Sequence, residues 1–217
     1  MLTSPLFFLF TAMAWHDHWL VLFGTAASYC LIQFLSRDRL DAHPWLYGAG
    51  GLIGLAGLCK YVALFLGIGF LVTIASQKRW RSLFLQGHLY GAIGLALLML
   101  APVFWWNLQH DFYSFRFYLG RSVQAESIAI HWLGPIGFLL LSGLILGQLH
   151  VWLTAKATQR GFTTRFGAAY QRVAFVIFGT STLMLALLSF QAPVLYYWNI
   201  LAYPLLLPLM VGGFLNP

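Results

Sequence analysis

The sequence predicts an all-α, polytopic transmembrane helix bundle, and three observations carry that expectation. Only 8% of the 217 residues are charged, about a third of the share in a soluble domain. Mean hydropathy is +0.78. Polar punctuation cuts the chain into about eight apolar stretches, several of them shorter than the ~20 residues that a bilayer crossing requires. These features exclude a secreted disulfide scaffold, a soluble nucleotide-binding enzyme and a disordered chain. They read as a single transmembrane domain over residues 1–217.

Taken in order, the stretches are Leu2–Ala14, Trp19–Leu35, Pro44–Leu58, Tyr61–Ser76, Leu83–Trp105, His131–Thr154, Val173–Ser189 and Ile200–Phe214. Met1 to Ala14 has no basic leader and Trp15-His16-Asp17 is a poor cleavage context, so no signal peptide is expected. Cys30 and Cys59 lie within or at the end of apolar stretches, with no metal or redox spacing, and read as small buried hydrophobes. The pI of about 9.7 comes from short basic clusters between apolar segments. Those are topology signals rather than a nucleic-acid surface.

Charge placement settles the longest stretch. Pro44–Ser76 as one helix would run about 50 Å and leave Lys60 mid-bilayer, at about 2.5–3.5 kcal/mol. A hairpin turning at Cys59-Lys60-Tyr61 puts Arg37, Arg39, Lys78, Arg79, Arg81, Lys156, Arg160, Arg165 and Arg172 on one side. The other side keeps only Lys60, Arg116 and Arg121. The positive-inside bias therefore favours the hairpin, with the N-terminus and the basic loops cytoplasmic. Gly48, Gly51, Gly54 and Gly57 read as a surface for close helix approach, a packing role.

The opposite, outer side then collects Trp15-His16-Asp17-His18-Trp19, Lys60-Tyr61, the segment from Trp105 to Ile130, and Tyr196-Tyr197-Trp198-Asn199. Asp17 is either part of an interfacial turn or a carboxylate held near a sugar. Adjacent His16, Asp17 and His18 do not converge on one ion, and no metal is expected. Lys60 either snorkels to headgroups or pairs with a lipid-linked phosphate. The run Phe112 to Arg121 is either an aromatic belt or an interfacial platform whose Arg116 and Arg121 meet phosphate. The expected site is one outer cavity shared by Lys60, Arg116, Arg121 and Asp17, with the Asn107–Asp111 turn at its rim.

Several of these residues resemble bacterial glycosyltransferase family 39, the membrane relatives of dolichyl-phosphate-mannose protein mannosyltransferases and of the aminoarabinose transferase of lipid A. Gly57-Leu58-Cys59-Lys60-Tyr61, an apolar arm and the Lys78-to-Arg81 cluster follow its pattern. The stretch Ala101-Pro102-Val103-Phe104-Trp105-Trp106-Asn107-Leu108-Gln109-His110-Asp111-Phe112-Tyr113-Ser114-Phe115-Arg116-Phe117 is similar to the family's P-V-x-x-W-N-x-Q-H-x-x-x-S-F-x-F. Tyr197-Trp198-Asn199 to Tyr203-Pro204 is similar to its later N-W-x-x-x-A-Y-P, and Asp17 sits where the family has the aspartate of T-x-D-x-P-L. On this basis the resemblance covers most of the chain.

The resemblance implies the GT-C architecture and sugar transfer from a polyprenyl-phosphate donor to a lipid, glycan or protein acceptor. Transfer would take place on the outer face of the inner membrane, without a cofactor. It implies a catalytic role for Asp17 and donor or acceptor binding by Lys60, Tyr61, Asn107, Gln109, His110, Asp111, Arg116 and Arg121. The family pattern opens with a further helix and a large outer loop bearing an acidic pair. On the resemblance this chain starts partway through that pattern, so alone it is expected to bind polyprenyl phosphate and to transfer sugar poorly or not at all. The competing classes are a non-catalytic membrane subunit or remnant and a transporter of a lipid-linked substrate. A transporter would show polar breaks near the midplane or an internal repeat.

Overall fold

The computed structural model describes residues 17–117, 131–158, 162–191 and 194–215, and all regular structure among them is helical. The expected first stretch, Leu2–Ala14, and the residues Trp15, His16, Tyr118, Arg121, Glu126 and Arg160 lie outside the described residues. Helix α1 (Asp17–Leu35) has 19 residues, enough for about 28 Å. It opens on Asp17, a carboxylate in the first turn where the helix dipole favours negative charge. Its buried stripe includes Leu20, Gly24, Ala27, Ser28 and Leu31. Ser28 satisfies its hydroxyl internally by donating to the Gly24 carbonyl at 2.8 Å.

The hairpin is present. Helix α2 (His43–Cys59) and helix α3 (Ala63–Ser76) are separated by Lys60, Tyr61 and Val62. A Cβ on Gly67 would lie 3.9 Å from Ile53 Cγ2, and these two positions are equidistant from Lys60 in sequence. In one continuous helix they would stand about 21 Å apart.

The basic loops meet at one end of the bundle. The Arg79 guanidinium donates to the Arg37 carbonyl and, at 3.1 Å, to that of Asp38. Asp38 also forms an ion pair with Arg165, at the start of helix α8. Arg81 Nε donates to the Ala75 carbonyl at 2.7 Å, and the rings of His43 and His88 stack at 3.6 Å. The loops after α1 and α3 and the start of α8 therefore share a face.

Three expected spans take a different form. Leu83–Trp105 resolves into a 3-10 turn (Arg81–Leu85), helix α4 (Gly87–Met99) and helix α5 (Ala101–Gln109), the last two bent by 49°. Pro102, within the first turn of α5, has no N–H to bond back toward Leu98, and its ring crowds that carbonyl. His131–Thr154 is broken more sharply. Helix α6 (Gly134–Leu146) and helix α7 (Gln148–Thr158) meet at 95°, across Gly147 at φ 94°, a conformation open to glycine and few other residues. Ile200–Phe214 becomes a turn followed by helix α9 (Tyr203–Leu215), which contains Pro208.

Val173–Ser189 is the core of a longer helix, α8 (Arg165–Leu188), 24 residues capped by Thr164, whose hydroxyl accepts from the Gly167 N–H. Among the described residues, α1 and α8 are long and apolar enough to cross a membrane alone, and counting each bent pair as one span raises the number to 4. The helix Ala63–Ser76 is apolar but shorter. Of the about eight apolar segments expected, the described residues thus supply 2 to 4 candidate spans, two of them broken.

Small residues set the spacing between α2 and its neighbours. A Cβ on Gly50 would fall 2.3 Å from the Ala92 carbonyl oxygen, one on Gly54 2.6 Å from Met99 Cβ, and one on Gly57 2.9 Å from Leu100 Cδ2. With no hydrophobic drive between helices in lipid, such close approach supplies the attraction. Gly48 instead faces Cys30 of α1.

Candidate functional site

At the end opposite the basic loops, the start of α1 and the α2–α3 turn come together. Lys60 Nζ lies 2.9 Å from Asp17 Oδ1, a hydrogen-bonded ion pair spanning 43 positions of sequence. The Asp17 side chain is fully buried, while that of Lys60 keeps 21% of its exposure. Lys60 is therefore the partner that faces outward, and Asp17 is the group that holds it. The ammonium also sits 5.3 Å from the centre of the Tyr197 ring, inside the range of a cation–π contact.

Tyr61 carries the site toward α5. Its ring stands 5.9 Å from Phe115, and residues 113–117 are helical, so Arg116 rides on a turn docked beside the α2–α3 corner. Arg116, Gln109, His110 and Asp111 are exposed.

Asn107 behaves differently from the expected ligand contact. It is fully buried. Its Nδ2 donates to the Val103 carbonyl at 2.9 Å, its Oδ1 accepts from the Ser114 N–H at 3.2 Å, and its carbonyl accepts from Phe112 N–H at 2.7 Å. Those bonds hold a strained corner, since Asp111 and Phe112 have φ of 51° and 56°. Two successive non-glycine residues in that region together store a few kcal/mol. His110 Nδ1 lies 2.8 Å from the Trp106 carbonyl, and the His110 ring stacks on the Trp106 indole at 4.2 Å. Asn107 builds the turn, and the rim that the turn presents is Gln109, His110 and Asp111.

Residues 1–106 match the model of the family described as dolichyl-phosphate-mannose-protein mannosyltransferase. This is the family that the sequence resembles. The mannosyltransferase match takes in Asp17, Lys60 and Tyr61, and it ends inside the Ala101–Phe117 stretch. It is shorter than the resemblance read along most of the chain, because the later Tyr197–Pro204 region falls beyond it. No curated protein and no solved structure matches the chain.

Two features of the site escaped sequence reasoning. Asp17 and Lys60 were expected to share a cavity, but their direct pairing joins residues too far apart in sequence for any spacing rule. Tyr197 was placed on the outer side with no role. Two open apolar clefts, of about 610 and 770 Å³, lie elsewhere. One is beside His131, Gly134 and Ser189, and the other is on the α4–α5 bend at Leu97, Leu98, Pro102 and Trp105.

Proposed function

We propose that this chain is a membrane glycosyltransferase using a polyprenyl-phosphate sugar donor, or the part of one that holds that donor, with its site at the Asp17–Lys60 end. The observation that carries this reading is the ion pair itself, a mostly sheltered ammonium held by a buried carboxylate within the mannosyltransferase match. Inverting transfer breaks the bond between the anomeric carbon and the phosphate oxygen, and forms one from the acceptor oxygen to that carbon. The charge that develops lies on the departing phosphate. Lys60 meets it as a point charge, aimed at the leaving group before reaction.

As Lys60 turns toward the phosphate it releases Asp17 Oδ1, and the carboxylate takes the acceptor proton. Arg116 supplies a second cation, Tyr61 its packing surface, and Gln109, His110 and Asp111 a polar rim for the sugar or acceptor. Asn107 shapes that rim, and Arg121 belongs to the same segment. The cleft on the α4–α5 bend offers an apolar bed for the isoprenoid chain. The acceptor is a lipid, glycan or protein hydroxyl on the outer face of the inner membrane.

Binding of decaprenyl phosphate to the purified chain tests this directly. Lys60→Ala is expected to weaken it roughly 10–100-fold, the value of a hydrogen bond to a charged group. In a preparation that turns over a polyprenyl-phosphate sugar, Asp17→Asn is expected to lower the rate by ~10²–10⁴ as the base is lost. Binding indifferent to Lys60 would remove the reading. A non-catalytic subunit would bind without turnover, and a transporter would move the lipid with its sugar attached.

Orientation has its own test. A cysteine at Arg79 should resist a membrane-impermeant maleimide added to intact cells, and one at Tyr113, which is 65% exposed, should react. The reverse pattern would invert the topology.

A further inference from the structure

We propose that Tyr197 is a positioning residue for Lys60, its ring forming a second seat that holds the ammonium in place when it leaves Asp17. The phosphate in this proposal rests on the donor reading above, but the seat itself rests on geometry alone. A lysine ammonium is a mobile charge on a four-carbon stem. Paired only with Asp17 it would be neutralised, and freed from Asp17 it would wander. An aromatic face attracts it without cancelling its charge, so the ammonium can exchange a carboxylate for a phosphate without losing its position.

The seat is built rigidly. Tyr197 belongs to a 3-10 turn, Tyr196–Asn199, and that turn is tied to the C-terminal half of α8. Asn199 is 2% exposed, with its amide oxygen 2.6 Å from Ser181 Oγ and its amide nitrogen 2.8 Å from Thr182 Oγ1. Lys60 is referenced to the same helix. It precedes α3, whose Gly69 abuts Ile177 so closely that a Cβ there would lie 3.1 Å from Ile177 Cγ1. The two contacts on α8 are about one turn apart. The turn that carries the ring and the helix that follows Lys60 therefore abut the same stretch of α8. Tyr197 also lies beyond residue 106, where the mannosyltransferase match ends, so the second half of the chain completes a site begun in the first.

The experiment uses the full chain in liposomes, with Tyr197 replaced by phenylalanine, by progressively fluorinated phenylalanines and by leucine. The fluorinated rings keep the shape while withdrawing the negative π face, so they separate attraction from packing even where the leucine variant folds poorly. The ligand-independent readout is the rate at which an amine-reactive acetylating reagent modifies Lys60, followed by peptide mass spectrometry. Phenylalanine should keep the wild-type rate, and full fluorination or leucine should raise it about 3–10-fold. A rate insensitive to fluorination overturns the seat.

The second readout is the dissociation constant for decaprenyl phosphate. It should weaken by a similar factor along the fluorinated series and should not respond to that series in a Lys60→Met background. If acetylation follows fluorination but the wild-type chain binds no decaprenyl phosphate, the seat stands and the donor reading fails. If the wild-type chain binds and fluorination leaves the affinity unchanged, the role of Tyr197 in donor binding is overturned.

Discussion

Replacing Lys60 with methionine is expected to destabilise the bundle by about 3 kcal/mol, the low end for breaking a buried ion pair. The low end applies because the lysine side chain keeps 21% of its exposure, whereas Asp17 keeps none. The substitution leaves a fully buried carboxylate without its ammonium at the start of α1. The double variant Asp17→Asn/Lys60→Met removes that charge and should recover much of the loss, since a pair exchanged for neutral groups of similar volume is often tolerated. Thermal unfolding in detergent, with both single variants and the double variant, measures the coupling. A Lys60→Met chain that unfolds at the wild-type midpoint would show that the pair contributes nothing.

Gly50→Val is expected to have a comparable effect through packing alone. A Cβ at Gly50 would stand 2.3 Å from the Ala92 carbonyl oxygen, a backbone atom that cannot swing aside. Alanine there should cost about 1–3 kcal/mol as α2 and α4 separate, and valine more. Gly94 is the internal control, because a Cβ there meets nothing within 4 Å. Gly94→Ala should be neutral or should stabilise by up to about 1 kcal/mol through helix propensity. Equal losses at Gly50 and Gly94 would mean that the α2–α4 contact does not set the spacing.

The sequence made the hairpin legible because Lys60 had no affordable place inside one long helix, and the closeness of Ile53 to Gly67 agrees. It also marked Gly54 and Gly57 as contact positions. It missed Gly50, because a strict three-residue series was followed where a helix face alternates threes and fours. The break at Gly147 was illegible for a different reason. A glycine in an apolar run reads equally as a packing residue and as a corner, and only the φ of 94° separates them. The first turns of α8, Arg165 to Arg172, were lost because a hydropathy count stops at charge while a helix does not. Asp17, Lys60 and Tyr61 were legible as residues of interest. Their partners were not, because the Asp17–Lys60 pair, the Tyr61–Phe115 contact and the Tyr197 ring all depend on tertiary approach.

The pairing of Asp17 with Lys60 also bears on how the chain is assembled. Synthesis at about 5–20 residues per second delivers Asp17 to the membrane several seconds before Lys60, given the 43 positions between them. During that interval α1 carries a carboxylate whose insertion is penalised by up to about 2.5–3.5 kcal/mol, depending on depth. Helix α1 is apolar enough to cross alone, and it carries that charge at its first residue, where the penalty is smallest. The following hairpin then brings Lys60 to it as a countercharge. The pair would thus bias the hairpin, as it enters, to dock with its turn against the start of α1.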